Sequence, residues 1–331
     1  MPAVRRRRYN PTWEELESLP ADQRVTPYQD QTYALQWTDA DPYFPGQLWH
    51  APTAVIGNDL DRFRDPHQYT YFKYVTERAE SSRIIDSWLS IATDLTGDAT
   101  PEWIGAWEEV FSPFKFAQAG LATQTSAMSS YVKGTYENFF LVFEAFDDMN
   151  VVYRTVQLAR ALRAGAPVVD ARTYWREAAY FQPLRELLDR AAAFSDVYEV
   201  ALAHHLFTRP LLSLTYYEIL REWSRSHRDF LSARIFTILK KDMDWHAAAG
   251  AHLLAARIDD DAANLGVLRG WAGTWGPAVL QALRPVLEHL GERLSNRAGA
   301  DHLLESGQSL VTANIENLGA AVDAAREEVG K

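Results

Sequence analysis

The chain has 331 residues and a net charge of −11, and this acidic balance argues against a body that binds nucleic acid. It contains no cysteine, which excludes disulfides, zinc–thiolate sites, Fe–S clusters and cysteine nucleophiles. Its 11 Trp, 15 Tyr and 15 Phe can supply a large apolar core.

Residues 1–60 are predicted to form an extended N-terminal arm, and residues 61–331 a helical domain. Seven of the 15 prolines fall at or before Pro52, and proline favours extended backbone in the residue that precedes it. The segment is nevertheless rich in aromatic side chains, unlike a disordered tail. We therefore expect the arm to wrap over a folded body, its own or a partner's. Its candidate partner-binding residues are Arg5, Arg6, Arg7, Arg8, Trp13, Trp37 and Trp49.

The four arginines at the start of the arm fit two interpretations. They form either a solvated basic terminus or a segment that lies on an acidic partner surface. The residues that follow them, Tyr9 to Thr12, do not form the apolar stretch of a secretory signal. The longest uncharged run, 116–132, is rich in Ser, Thr, Gln and Gly, which indicates a packed helix rather than a membrane span. We therefore expect a cytoplasmic protein.

From Pro66 onward the sequence predicts almost continuous helix. Asp65 and Pro66 are expected to cap and begin the first helix, and Thr100 and Pro101 the second. Pro113 is expected to break or kink the second helix. Helices are predicted over about 66–94, 101–132, 136–163, 171–194, 195–224, 227–258, 277–294 and 300–329. Long helices with short connections indicate an all-α bundle.

The helix predicted over 136–163 carries a regular apolar stripe, which is typical of a face that packs against a core. The stripe residues follow one another at spacings of three and four: Phe139, Phe143, Phe146, Met149, Tyr153 and Val156.

Three polar residues interrupt the apolar stripes of the next two long helices. His204 lies within the stripe of the helix predicted over 195–224, and Asp242 and His246 lie four residues apart on the following helix. His204 fits a core histidine with one hydrogen-bond partner, and Asp242 with His246 fits a buried, mutually satisfied pair. The three together could alternatively bind a metal ion.

The histidines exclude a di-iron carboxylate site of the usual kind. Such a site in a helical bundle needs two Glu-x-x-His motifs, because residues at i and i+3 share a helix face and can hold one metal together. None of the nine histidines has an acidic residue three positions before it. The motifs G-x-G-x-x-G, Walker A, G-x-S-x-G and H-E-x-x-H are also missing.

Three sequence blocks carry a resemblance to a known family. They are Arg64-Asp65-Pro66, Phe181 to Leu188, and Leu268 to Pro277, which contains a Trp-x-x-x-Trp pattern. In their order and spacing, over about Phe63 to Leu290, the chain resembles the beta subunit of the hydroxylase in bacterial multicomponent monooxygenases. This family acts on methane, alkenes, propane, phenol and toluene.

The resemblance implies a ferritin-like bundle that has no cofactor of its own. The di-iron centre would belong to an alpha subunit, and beta would support it in an (αβ)₂ or (αβγ)₂ hydroxylase, the second with a gamma subunit. A small coupling protein would regulate the hydroxylase, and NADH would supply electrons through a reductase with FAD and an Fe–S cluster. No nucleic acid or membrane is implied. The blocks look closest to the alkane and alkene members, which favours a small alkane or alkene as substrate and leaves phenol and toluene types open.

Comparison with the alpha subunit implies which residues stand at the former ligand positions. Asp148 would replace the glutamate of the first Glu-x-x-His block, and Met243 and His246 would occupy the second. His204 would stand at a glutamate position, and the glutamate of the first helix would fall near Ala119. The resemblance therefore implies a degenerate, metal-free site.

Three hypotheses are thus open. The chain is a non-catalytic hydroxylase subunit, a stand-alone helical enzyme with a metal bound by His204, Asp242 and His246, or a helical scaffold unrelated to oxygenases.

Overall fold

The computed structural model describes residues 53–57, 62–132, 134–163 and 170–319. Nearly all of the predicted arm, including its arginines and the three tryptophans Trp13, Trp37 and Trp49, lies outside these ranges. The prediction that the arm binds a partner stays a prediction. Among the described helices, none has both the length and the apolar character that spanning a bilayer requires.

The described residues form an all-α bundle, as the helical periodicity predicted. The first helices are α1 (Tyr71–Leu89), α2 (Ala92–Thr96), α3 (Pro101–Ala106, Trp107–Phe111 and Ser112–Ser129 without a break) and α4 (Thr135–Leu162). Next come α5 (Ala171–Glu177), a 3₁₀ turn (Ala179–Phe181) and α6 (Gln182–Ala192). Helix α7 joins Val197–Leu202, Ala203–Thr208, Arg209–Leu212, Ser213–Tyr217, Ile219–Trp223 and Ser224–Ser226. The last helices are α8 (Phe230–Asp260), α9 (Asn264–Arg293) and α10 (Arg297–Glu316).

One predicted helix start is confirmed and another is wrong. The Thr100 hydroxyl accepts a hydrogen bond from the backbone of Trp103, with Pro101 at the first helical position. Asp65 does not cap α1, which begins at Tyr71 after the N-cap Thr70. The Asp65 carboxylate instead organises the preceding loop: it accepts hydrogen bonds from two nearby backbone amides and from the Trp245 indole.

Prolines inside helices do not break them here. Pro113 has no N–H to donate to the carbonyl of Glu109, and the Tyr180 hydroxyl donates to that carbonyl instead, at 2.8 Å. Pro210 leaves the carbonyl of Leu206 free in the same way, and a side-chain amide from α10 donates to it at 2.6 Å. A π-helical turn precedes each of these two prolines. The helix thus accommodates each of them through a wider π-helical turn, and a side chain distant in sequence donates to the carbonyl that the proline leaves without a partner.

Helices α3, α4, α7 and α8 form the four-helix core. Gln118 of α3 bonds Asp148 of α4 while the Asn138 amide of α4 reaches the Ser129 carbonyl, so α3 and α4 are antiparallel. Helices α4 and α7 are parallel, because Glu137 bonds Tyr198 and Glu144 bonds His205. Helices α4 and α8 are antiparallel, because Glu137 pairs with Arg257 and Asp147 with His246. Helix α1 lies parallel to α4, because Tyr74 stacks on Phe143 at 4.2 Å and the contacts of later residues keep the same offset.

The apolar stripe predicted for α4 does not face the core. Phe146, Met149 and Tyr153 are 56%, 50% and 57% exposed. Phe143 is buried against α1, and the other two stripe residues are half-buried. The inner face carries carboxylates instead, and its buried acidic residues are Glu137, Glu144, Asp147 and Asp148. Cationic side chains from neighbouring helices make this inverted arrangement possible.

The end of the predicted arm is fixed to the helical domain. The Asp196 carboxylate accepts hydrogen bonds from the Thr53 hydroxyl and the Ala54 amide. The Asn264 side chain accepts from the amide of Ile56 and donates to its carbonyl. Residues 53–56 are therefore bonded to the helical domain, and the division into an arm over 1–60 and a domain over 61–331 stays a prediction.

Candidate functional site

The centre of the four-helix core holds two carboxylates with an arginine between them. Glu144 and Asp148 lie one turn apart on the inner face of α4, and Arg209 reaches them from α7. The two Nη atoms of Arg209 donate to the Asp148 carboxylate at 2.9 and 2.8 Å, and its Nε pairs with Glu144. All three side chains are 1% exposed or less. The guanidinium thus bridges the carboxylates at the place where a ferritin-like bundle would hold metal.

A histidine also contacts Glu144. His205 places Nε2 at 3.0 and 3.1 Å from the two carboxylate oxygens, and its Nδ1 lies 2.8 Å from the Ala201 carbonyl. Both ring nitrogens therefore lie within hydrogen-bond distance of oxygen atoms. The ring fits because α8 has a glycine opposite it: a Cβ at Gly250 would overlap the His205 ring.

Every helix of the core contributes to this cluster. Gln118 of α3 donates to Asp148 at 2.6 Å. Thr125, also of α3, accepts from Arg209 at 3.2 Å. Met243 of α8 places its sulfur 3.9 Å from Arg209 Nη1. The cluster therefore ties α3, α4, α7 and α8 together, and its core is the set Gln118, Thr125, Glu144, Asp148, His205, Arg209 and Met243.

Electrostatics keep Glu144 ionised inside the protein. Burial alone would raise the pKa of its carboxyl group, but the charges of Arg209 and His205 outweigh burial and lower the pKa to about 2. A carboxylate held this firmly cannot exchange its arginine partner for a metal ion without leaving a buried guanidinium unpaired. The residues present therefore do not fit a di-iron centre.

A second group of ion pairs lies beside the first, between α1, α4 and α8. Asp147 accepts two hydrogen bonds from Arg78, at 2.7 and 2.8 Å. It also accepts one from the Tyr74 hydroxyl and lies 3.0 Å from Nε2 of His246. Asp147 of α4 thus bonds to side chains of two other helices, α1 and α8.

The predicted pairing of Asp242 with His246 is wrong. His246 turns to Asp147, and Asp242 pairs with Arg78 at 3.1 Å. Both residues find stronger partners on other helices than on their own, because Arg78 and Asp147 bring full charges. Burial, together with the charge of Asp147, raises the pKa of Asp242 to about 8.

His204 has the environment of a core histidine with one hydrogen-bond partner. Its Nε2 lies 2.8 Å from Oε1 of Gln124, whose amide nitrogen donates to the Leu188 carbonyl. The glutamine oxygen therefore accepts, and His204 donates from Nε2. Burial, with the charge of Arg209 acting in the same direction, lowers the pKa of His204 to about 3. The ring is thus neutral at physiological pH.

The structure does not bring His204, Asp242 and His246 together as metal ligands. Each of them is bonded to a different side chain, respectively Gln124, Arg78 and Asp147. Across the described ranges, no group of three or more His, Cys, Asp or Glu side chains has an arrangement that could hold a metal ion.

Of the four degenerate ligand positions, Asp148 and Met243 meet at Arg209. His246 joins the neighbouring group at Asp147, and His204 lies apart on Gln124. The sequence interpretation missed Glu144, His205, Arg209 and Gln118. One signal was available in the sequence. Arg209 follows His204 in an otherwise apolar helix segment, and a buried arginine requires buried counter-charges.

The fold and this cluster define a class: a long-helix, ferritin-like bundle whose polar centre is closed by its own ion pairs. Residues 34–261 match the sequence profile of the Methane/Phenol/Alkene Hydroxylase family, which is more than half of the chain. The chain therefore belongs to that family and is a beta subunit of its multicomponent monooxygenase hydroxylases.

Two relatives with known functions align over most of the chain. Phenol 2-monooxygenase oxygenase component DmpL of Pseudomonas sp. (strain CF600) is 21% identical over 292 residues, which covers 84% of this chain and 87% of the relative. The toluene-4-monooxygenase hydroxylase subunit beta of Ectopseudomonas mendocina is 19% identical over 262 residues, which covers 76% and 80%.

Solved structures share the fold at low sequence identity. A chain of phenol hydroxylase from Pseudomonas sp. OX1 superposes with a TM-score of 0.72 at 17% identity, over 92% of this chain and 98% of the other. A chain of toluene-bound toluene 4-monooxygenase gives a TM-score of 0.73 at 17% identity, over 87% and 100%. The predicted all-α, long-helix fold is therefore confirmed.

Proposed function

We propose that this chain is a non-catalytic subunit and that a separate alpha subunit carries the di-iron centre and the substrate pocket. The observation that carries the proposal is the guanidinium of Arg209 between Glu144 and Asp148. A guanidinium there pairs with both carboxylates without a metal ion. The role left to the bundle is architectural: it presents a rigid surface to its partner.

The resemblance and the relatives suggest the rest of the assembly. The hydroxylase would be (αβ)₂ or (αβγ)₂, closed by two-fold symmetry, with a gamma subunit in the second case. A coupling protein would regulate it. A reductase with FAD and an Fe–S cluster would deliver electrons from NADH, which would place the complex in the cytoplasm.

The substrate proposal shifts from alkanes and alkenes to aromatic compounds. The two relatives are named for phenol and toluene oxidation, and nothing in their names supports the alkane or alkene expectation. We propose that the assembled hydroxylase oxidises an aromatic hydrocarbon or a phenol with O₂. The chemistry would take place in alpha, so a substrate screen must use the whole complex.

The decisive test is to purify the full chain, affinity-tagged, from its native host and to determine what accompanies it. We expect an iron-containing subunit with two Glu-x-x-His motifs in equal stoichiometry, and no iron in this chain after the two are separated. A metal-free chain that never associates with such a subunit would overturn the proposal. Iron retained by the separated chain would favour the stand-alone enzyme.

The arm is proposed to contribute to this association. A deletion should end at residue 52, since Thr53 and Ile56 bond to the helical domain. Removal of residues 1–52 should weaken binding to alpha while the far-ultraviolet circular dichroism of the bundle remains helical. Unchanged affinity would refute the assignment of the arm.

A further inference from the structure

The outer surface of α1 and α4 carries an apolar patch. We name it the α1–α4 patch, and its residues are Tyr71, Phe72, Val75, Phe146, Met149 and Tyr153. They are 42% to 81% exposed, and Phe72 is the most exposed of them. Single exposed apolar side chains are common on protein surfaces, but a contiguous group marks an interaction site.

The α4 part of the patch is uncharged along most of the helix. Between Asn138 and Ala159, every charged side chain of α4 is buried. Phe146, Met149 and Tyr153 follow at spacings of three and four, so they form one stripe on the outside of the helix. A solvent-facing helix surface of this length normally carries charged residues. This face therefore has the composition of a buried surface.

Helix α1 extends the patch sideways. It runs parallel to α4, with Tyr74 at the level of Phe143 and Arg78 at the level of Asp147. Val75, one residue after Tyr74, therefore lies at the level of the first exposed turn of α4. The patch therefore spans two adjacent helices. It can form part of an interface of standard size, to which each partner contributes about 800 Å².

One exposed aromatic side chain of the patch is held in place before any partner binds. The Tyr153 hydroxyl accepts a hydrogen bond from Gln157 at 3.1 Å. The Arg154 guanidinium lies 5.3 Å from the centre of the Tyr153 ring and pairs with Asp86 of α1. An aromatic side chain with a fixed orientation loses little conformational entropy on binding. This is an arrangement suited to an anchor residue.

We propose that the α1–α4 patch is the surface that docks the alpha subunit, through an uncharged apolar face of two of its helices. The proposal rests on the proposed function, which supplies the partner. Two copies of this chain would each bring a net charge of −11, which disfavours self-association. A single extended arm would cover one groove rather than a face two helices wide, whereas two helices can pack ridges into grooves over its whole width.

The first test places charges on the patch of the full-length chain in its native host. The variant Phe146→Asp with Met149→Asp is compared with Phe230→Asp, which changes a similarly exposed (46%) residue at the start of α8. We expect the patch variant to lose more than tenfold of the co-purified alpha subunit, identified by its iron and its two Glu-x-x-His motifs. The Phe230 variant should retain it.

The outcomes separate the two proposals. If the wild-type chain brings down no iron-containing subunit, the proposed function fails. If it does and the patch variant binds equally well, only the docking surface is refuted. If the charged variant loses binding and its melting temperature also changes, a second double variant is needed, with Phe146→Ser and Met149→Ser and no added charge. Unimpaired binding by this second variant, at wild-type stability, refutes the docking surface.

A second test uses the lack of native cysteines. Met149→Cys introduces a single thiol into the patch, and Phe230→Cys serves as its control. Mass spectrometry would follow alkylation of each thiol in the isolated full chain and in the complex. We expect Cys at position 149 to react in the isolated chain and to be protected more than tenfold in the complex. Protection in the isolated chain would identify the arm or a second copy as the occupant, and reactivity in both would refute the surface.

Discussion

The inner and outer faces of α4 show opposite departures from the usual helix of a globular protein. The inner face buries Glu144, Asp147 and Asp148, whereas the outer face exposes Phe146 and Tyr153. Hydropathy alone would predict that the face with Phe146 is buried and the face with the carboxylates is exposed. The difference shows that the orientation of a helix depends on the partners available to each of its faces. Arginines of this chain pair with the buried carboxylates, and the exposed aromatic residues are proposed to contact another subunit.

The inner face is stable because each of its carboxylates pairs with an arginine from another helix. Glu137 pairs with Arg257, Asp147 with Arg78, and both Glu144 and Asp148 with Arg209. Breaking a buried pair by removal of one partner typically costs more than the pair contributes to stability, because a charge is left without compensation. The comparison can therefore be tested by variants that act on one face only.

Removal of the central cation should have the largest effect. Arg209→Leu leaves Glu144 and Asp148 buried without their guanidinium, and we expect the free energy of unfolding to fall by about 3–5 kcal/mol. Urea unfolding of the full chain measures this. The control adds Glu144→Gln and Asp148→Asn, which should recover much of the loss because no carboxylate then lacks a partner. A single variant as stable as wild type would show that the inner face does not depend on this pair.

A matched pair of phenylalanines compares the two faces directly. Phe140 is 1% exposed and lies on the same helix as Phe146, which is 56% exposed. Phe140→Ala should lower the free energy of unfolding of the isolated chain by about 3–5 kcal/mol, and Phe146→Ala by less than about 0.5 kcal/mol. Chemical denaturation gives both values. Similar losses would mean that the outer face is covered within the chain.

Two glycines test how closely α8 must approach the inner cluster. Gly250→Ala would drive a methyl group into the His205 ring, and we expect a loss of about 1–3 kcal/mol. Gly270→Ala, in α9, meets no neighbour within 4 Å and should stabilise the chain by about 0.5–1 kcal/mol, since alanine favours helix. The two melting temperatures should move in opposite directions. A Gly250 variant that melts no lower than wild type would contradict the close approach.

The smallest expected effect is a pH dependence from His204. Its pKa is about 3 in the folded chain against an ordinary value near 6.5, so only the unfolded state binds the proton between these values. Stability from this group is therefore present above pH 6.5 and is lost as pH falls. Between pH 7.5 and 5.5 the wild type should lose about 1 kcal/mol more than His204→Gln. Parallel pH profiles from thermal melts would contradict the neutral buried ring.

Much of the fold could be predicted from the sequence, but the orientation of α4 could not. Its bounds agree within a residue or two with the prediction, because Gly134 and the segment after Leu162 mark its ends locally. Which face turns inward depends on Arg209, 61 positions from Asp148 in the chain. Periodicity within one helix contains no information about such a partner.

The residues of the candidate site also divide into those that the sequence could predict and those that it could not. His204 was found because a polar residue on an apolar stripe can be recognised one helix at a time. Asp148 was found because the family resemblance placed it at a former ligand position. The partners of Asp242 and His246 were assigned wrongly, because a pair at i and i+4 is visible in the sequence, whereas Arg78 and Asp147 compete from other helices. Residues that form ion pairs across helices are recognised only when the helices are placed together.

The prolines of α3 and α7 have a consequence for the order in which the chain can be completed as it leaves the ribosome. The Leu206 carbonyl receives its hydrogen bond from Asn314, a residue synthesised 108 positions later. Until then, that turn of α7 has only solvent to satisfy it. A nascent chain halted before α10 would thus carry an unsatisfied carbonyl three residues before Arg209, and the core is complete only when synthesis has passed Asn314.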